Sequence, residues 1–175
     1  MTPLLRREWL APLAVLVLGL ATILGAWGFE LIGGYVPCKL CLEQRVPYYI
    51  GLPFALAALL AALAGARPTV VRLLLIIAGL IFAFDIYLGI YQAGAEWKLW
   101  AGPTDCGGGT GTTKSAADLL NQLKNIHVVS CTEASWRFLF LSFAGWNAVV
   151  SVLLLAIAIW GAFRPLPPEP VRAAV

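Results

Sequence analysis

Four long apolar runs dominate the chain, and polar residues gather in the breaks between them. The runs are Leu10 to Ile32, Pro47 to Ala64, Leu73 to Tyr91 and Phe138 to Phe163. Each is close to the roughly 20 residues that a helix needs to cross a hydrocarbon core about 30 Å thick. Charge is nearly absent from them: Glu30 lies near the end of the first, Asp85 interrupts the third, and the second and fourth carry none. Helices on the surface of a soluble domain show a polar stripe at a 3.6-residue period, and these runs lack one. The pattern predicts an all-α integral membrane four-helix bundle, a single domain over residues 1–175, with loops at 33–46 and 92–137 on one side.

Composition strengthens this reading. Hydrophobic residues make up 61% of the chain and charged residues 12%, against about 25% charged in soluble proteins. A body of this size cannot enclose that much apolar surface, so lipid must cover the rest. The net charge of +3 is spread over several loops and offers no basic face, which removes nucleic acid as a partner.

Four crossings put both termini on one side. That side, with the loop from Gly65 to Arg72, holds Arg6, Arg7, Arg67, Arg72, Arg164 and Arg172; the other holds Lys39, Arg45, Lys98, Lys114, Lys124 and Arg137. The counts tie, but the first set occupies fewer residues, and long loops count for little in the positive-inside rule. Both termini are therefore expected in the cytoplasm. Arg6-Arg7 before an apolar run also has the form of a secretory signal, but the run exceeds the usual 7 to 15 residues, and an uncleaved first span is the working reading. Asp85 stands mid-span, where an ionised carboxylate is expensive; it is expected to be protonated, paired or turned into the bundle.

All four cysteines fall in the two loops opposite the termini: Cys38 and Cys41 in the first, Cys106 and Cys131 in the second. Disulfides persist outside the cytoplasm, so the position and the chemistry agree. Three pairings are possible. Cys38-Lys39-Leu40-Cys41 has the CxxC spacing that closes a small ring and exchanges readily with other thiols, leaving Cys106 and Cys131 to each other. The competing readings are structural staples across two loops, or a four-thiolate zinc site; a single CxxC argues against the latter. If the segment turns helically, Gln44 and Arg45 follow Cys41 at three and four residues, on the same face. Arg45 would then stand beside the thiolate and lower the thiol pKa, its alternative being an anchor at the headgroups. Within the long loop, Gly107, Gly108, Gly109 and Gly111 suggest mobility. A short interfacial helix is suggested by Leu119, Leu120, Leu123 and Ile126, and Trp97, Trp100 and Trp136 suit the same interface. His127 is the only histidine and reads as a loop residue rather than a proton carrier.

Pro37-Cys38-Lys39-Leu40-Cys41-Leu42-Glu43-Gln44-Arg45-Val46-Pro47-Tyr48, placed between the first two of four spans, with a second cysteine pair between the third and fourth, resembles the disulfide bond formation protein B (DsbB) family. Gly102-Pro103 before Cys106 and Leu141 to Asn147 in the fourth span add to the likeness. The resemblance implies a protein of the bacterial inner membrane, with its cysteine loops in the periplasm. It implies re-oxidation of a periplasmic thioredoxin-like, DsbA-type dithiol oxidase and transfer of the electrons to the membrane quinone pool, ubiquinone or menaquinone. That DsbA, DsbB and quinone together keep the periplasm oxidising is established. By the same resemblance, Cys106 forms the mixed disulfide, Cys131 is released, Cys41 contacts the quinone, and Arg45 polarises it with Gln44 in support. Many members carry a His at the outer end of the third span, where this chain reads Tyr91-Gln92-Ala93-Gly94-Ala95-Glu96. Gln92 can donate a hydrogen bond there and Glu96 can carry a proton. A quinone reductase of the vitamin K epoxide reductase kind would place its CxxC near the last core helix, and a membrane protein whose disulfides merely brace its loops is the non-enzymatic alternative.

Overall fold

The computed structural model describes residues 8–102, 127–128, 132–134 and 136–164. Four helices are long and apolar enough to cross a membrane: α1 (Leu10–Leu31), α3 (Val46–Leu63), α4 (Pro68–Glu96) and α5 (Phe143–Phe163), with a short α2 (Lys39–Glu43) leading into α3. Only 28 to 39% of the apolar window in each span is buried inside the protein. The remaining leucines, valines and phenylalanines face outward, as a multi-pass membrane protein requires.

Small residues set the packing. α4 lies along both α3 and α5, and α1 closes the other side against the same pair. The contacts run through Ala55, Ala58 and Ala62 on α3, Ala78 on α4, and Ala148, Ala158 and Ala162 on α5. Without a hydrophobic drive between helices in lipid, close approach of backbones supplies the attraction. At Gly89, a Cβ would stand 3.1 Å from the Ala144 carbonyl oxygen, so α4 and α5 touch there backbone to backbone.

The first two long helices coincide with the apolar runs Leu10 to Ile32 and Pro47 to Ala64 to within a residue at each end. The third is longer than Leu73 to Tyr91 at both ends. Pro68 occupies the first turn of α4, where its missing N–H costs nothing. The preceding helix stops at Gly65 (φ +72°), with Ala66 N–H donating to Ala61 O at 2.9 Å. Arg72 is accommodated because its guanidinium reaches the Arg164 carbonyl at the end of α5 (3.0 Å). At the other end, Gln92 and Glu96 turn inward, so the helix continues past the apolar run. The fourth span begins at Phe143 rather than Phe138, since β3 (Arg137–Phe138) and β4 (Leu141–Ser142) form an antiparallel hairpin before it. Its two turn residues, Leu139 (φ 47°) and Phe140 (φ 70°), take the left-handed conformation that hairpin turns usually give to Asn-Gly. Ser142 then caps α5, accepting from Gly145 N–H at 3.2 Å.

The two loops meet at the cysteine-bearing end. β1 (Tyr35–Val36) pairs in parallel with β2 (His127–Val128), so His127 belongs to a strand rather than an open loop. Trp97 and Trp100 are exposed at this end, and Trp136 stacks on Phe143 (4.9 Å). Cys106, Cys131, the glycine run and the interfacial helix expected at Leu119 to Ile126 lie outside the described residues.

Candidate active site at the dithiol end of the bundle

Cys38, extended in backbone two residues after β1, caps α2, its Sγ accepting the Cys41 backbone N–H at 3.4 Å. One turn of helix brings the two sulfurs to 3.0 Å, with Cys38 donating to Cys41. The CxxC spacing thus does what such spacing does at a helix start. Their exposure differs: Cys38 is fully buried, packed with Leu40 and Tyr91, whereas Cys41 is half-buried. Cys41 lines a cavity of about 250 Å³ between α1, α3 and α5, walled by Ile23, Phe29, Phe143, Trp146 and Val150. Its polar lining comes from Glu30, Gln44, Arg45, Tyr48 and Asn147.

Gln92, 1% exposed, reaches the sulfurs from α4. Its Nε2 lies 3.5 Å from Cys41 Sγ, 3.8 Å from Cys38 Sγ and 3.3 Å from Glu96 Oε1. Its Oε1 accepts from Gln44 Nε2 at 2.6 Å. Of the sequence-predicted residues, Cys38, Cys41, Gln44, Gln92 and Glu96 therefore form one connected cluster. Glu96 is buried and its Oε2 has no hydrogen-bond partner among the described residues.

A chain of this architecture with a dithiol at the helix end can be set against known proteins. The model of the family described as disulfide bond formation protein DsbB matches residues 7–161. The chain belongs to the DsbB family. It is 31% identical to disulfide bond formation protein B of Marinobacter nauticus, the match covering 93% of this chain and 95% of that protein. The proteins of the same name from Psychrobacter cryohalolentis and Psychrobacter arcticus are each 31% identical over 79% of this chain and 80% of their own. No solved structure matches it significantly.

In this DsbB-family chain, the cation expected beside the thiolate is engaged elsewhere. α2 stops at Glu43 and α3 starts at Val46, with the Arg45 N–H bonded back to Leu42 O at 3.1 Å, so Cys41 and Arg45 belong to different helices. The Arg45 guanidinium pairs with Glu30 of α1 and lies 5.5 Å from the Trp27 ring centroid. Arg45 still faces the cavity, but its partner is a carboxylate across it, and the donors at the Cys41 sulfur are the Cys38 thiol and the Gln92 amide.

Sequence reading also missed how far the polar cluster extends. Asp85, fully buried, accepts from Ser151 Oγ (2.7 Å) and Asn147 Nδ2 (3.0 Å) through one oxygen. Asn147 also donates to Gln44 Oε1 (2.9 Å) and accepts from Tyr48 OH (2.7 Å). Asp85 is thus both turned into the bundle and paired. The signal was present: Asn147 and Ser151, one turn apart, interrupt an otherwise apolar span, and polar groups inside a membrane seek one another.

Proposed function

We propose that the protein is a quinone-linked thiol oxidase of the bacterial inner membrane, with both termini cytoplasmic and the cysteine loops periplasmic. It re-oxidises a DsbA-type, thioredoxin-like dithiol protein and delivers the electrons to ubiquinone or menaquinone. The observation that carries this reading is the division between the two CxxC sulfurs: Cys38 is sealed inside the protein, while Cys41 opens onto an apolar cavity that also receives Arg45.

That cavity suits a flat apolar ring bearing oxygens. Phe29, Phe143 and Trp146 offer aromatic surface, and Gln44, Arg45, Tyr48 and Asn147 offer polar groups. A bound quinone would supply the acceptor for two electrons and two protons, becoming the quinol as the dithiol becomes a disulfide. Cys41 Sγ is the sulfur that meets it, and Cys38 Sγ, already 3.0 Å away, closes the disulfide. The Gln92 amino group holds the sulfur anion by hydrogen bonding. Arg45 contributes positive charge to the cavity wall where negative charge develops. Glu96, with a buried oxygen to spare, takes the role of proton holder at the position where many relatives carry His.

Upstream, a partner thiolate attacks Cys106, a mixed disulfide forms and Cys131 leaves; the partner's second thiolate then releases Cys106. The resulting Cys106 and Cys131 dithiol reduces the Cys38–Cys41 disulfide. Support for this second exchange comes from the β1–β2 pairing, since β1 ends two residues before Cys38 and β2 ends three residues before Cys131.

The test is quinone reduction by the purified protein supplied with a reduced DsbA-type partner. Cys41→Ser is expected to abolish turnover yet leave Cys106 able to trap the partner, and Arg45→Ala to weaken turnover roughly tenfold or more. Absence of turnover with either quinone, while the cysteines stay inertly paired, would return the chain to a membrane protein with loop-bracing disulfides.

A further inference from the structure

The buried polar thread has a direction. A carboxyl Oδ2 that already accepts from Ser151 can receive only the amino side of the Asn147 amide. The Asn147 carbonyl then faces the Tyr48 hydroxyl, which donates to it, and its second N–H goes to Gln44 Oε1. With its carbonyl occupied there, Gln44 turns its amino group to Gln92 Oε1 at 2.6 Å. Gln92 in turn presents its amino group to Cys41 Sγ at 3.5 Å and to Cys38 Sγ at 3.8 Å, while its carbonyl oxygen, taken up by Gln44, accepts from the Cys41 thiol only at a longer 3.9 Å. Flipping any one amide would set two carbonyls or two amino groups against each other at hydrogen-bond distance. Such a thread is satisfied in one sense only.

We propose that Asp85 is a positioning residue for the dithiol: as the acceptor that ends the thread, it orients three successive amides so that Gln92 brings its N–H closer than its carbonyl to the reacting sulfur. Asp85 and Gln92 are seven residues apart on α4, about 10 Å along the helix, so the carboxyl acts at a distance through Asn147 and Gln44. An N–H aimed at sulfur favours the thiolate; a carbonyl in its place disfavours it. This also gives a reason for keeping a carboxyl inside an apolar span, where it is costly. The proposal rests on Cys41 being the reacting sulfur of the preceding section, and it concerns the sulfur's reactivity alone.

It is tested on the full-length protein, purified in detergent and reduced, with neither quinone nor partner present. Alkylation of Cys41 by iodoacetamide at pH 7 is followed peptide by peptide in a mass spectrometer, beside thermal unfolding of the same samples. Asp85→Leu, of similar size but without an acceptor, is expected to slow Cys41 alkylation about fivefold, the effect of losing one modest hydrogen bond. Asp85→Asn, whose carbonyl can accept the same two hydrogen bonds, restores a rate within about twofold of the parent on the same scale. Asn147→Leu, which cuts the thread at its next link, reproduces the loss even if Asp85→Leu does not fold. A brace without influence on the sulfur would lower the unfolding temperature and leave alkylation at the parent rate. That outcome overturns the proposal, and so does an Asn variant as slow as the Leu variant. Since no quinone enters the assay, failure of the quinone reading leaves this result separately interpretable.

Discussion

The two ends of the bundle are built by the same four helices and held by different forces. At the end remote from the cysteines, Ala11, Ala58, Ala62, Val71, Leu75 and Ala162 form a core without a polar atom in its side chains. Toward the cysteines, the interior carries Gln44, Asp85, Gln92, Glu96 and Ser151, all nine-tenths or more buried. The first end is joined by backbones brought close over small residues; the second is joined by side chains that must each find a partner. A protein that needed only to stay assembled in lipid could use the first device throughout. The placement of the second around a dithiol and a cavity separates the part that holds the bundle together from the part to which the proposed chemistry is assigned.

Three changes would break or sharpen that contrast. The largest effect is expected at Cys38, buried at the active end: Cys38→Ser removes the sulfur that closes the disulfide and should abolish quinone reduction while the unfolding temperature in detergent stays close to the parent's. A large loss of stability instead would make the dithiol part of the scaffold. At the passive end, a Cβ on Gly161 would lie 2.3 Å from Ala11 Cβ. Gly161→Leu should therefore cost about 2 kcal/mol of stability by overpacking, read as reduced resistance to denaturation. Its Cys41 alkylation rate should not change, and a slowed rate would show that the two ends are coupled. The smallest effect is expected for Tyr48→Phe, which deletes the hydroxyl that donates to Asn147. Hydrogen bonds between membrane helices average about 0.6 kcal/mol, and the Asn147 amide is still oriented by Asp85, so stability should fall by about that much with alkylation near the parent rate.

Much of this molecule was legible before any coordinates. The spans follow from apolar runs and the CxxC with Gln44 from residue type and spacing, whereas Gln92 and Glu96 were singled out through the family resemblance, at the position where many members carry His. What the sequence could not convey depends on how separate helices rotate against each other. Arg45 was expected at Cys41 on the assumption of one continuous helix, and the break at Gln44–Arg45 together with Glu30 on α1 redirects it. Asn147 and Ser151 were visible as polar interruptions, but their common partner Asp85 lies more than 60 residues from each in sequence. The hairpin before α5 had no Gly or Asn to announce it; Leu139 and Phe140 adopt positive φ there, a conformation that costs roughly 1 to 2 kcal/mol per residue.

The central claim is that the cavity beside Cys41 is where electrons leave the protein. Ala26 lines it from α1 with no polar side-chain atom, so Ala26→Phe fills space without removing a functional group. The decisive measurement is the dependence of quinone reduction on quinone concentration in this variant, with partner trapping by Cys106 as the control. The account predicts a KM for quinone raised about tenfold or more, as loss of uniform binding does, with trapping intact. An unchanged KM in a folded Ala26→Phe protein would contradict it and place the quinone elsewhere on the bundle.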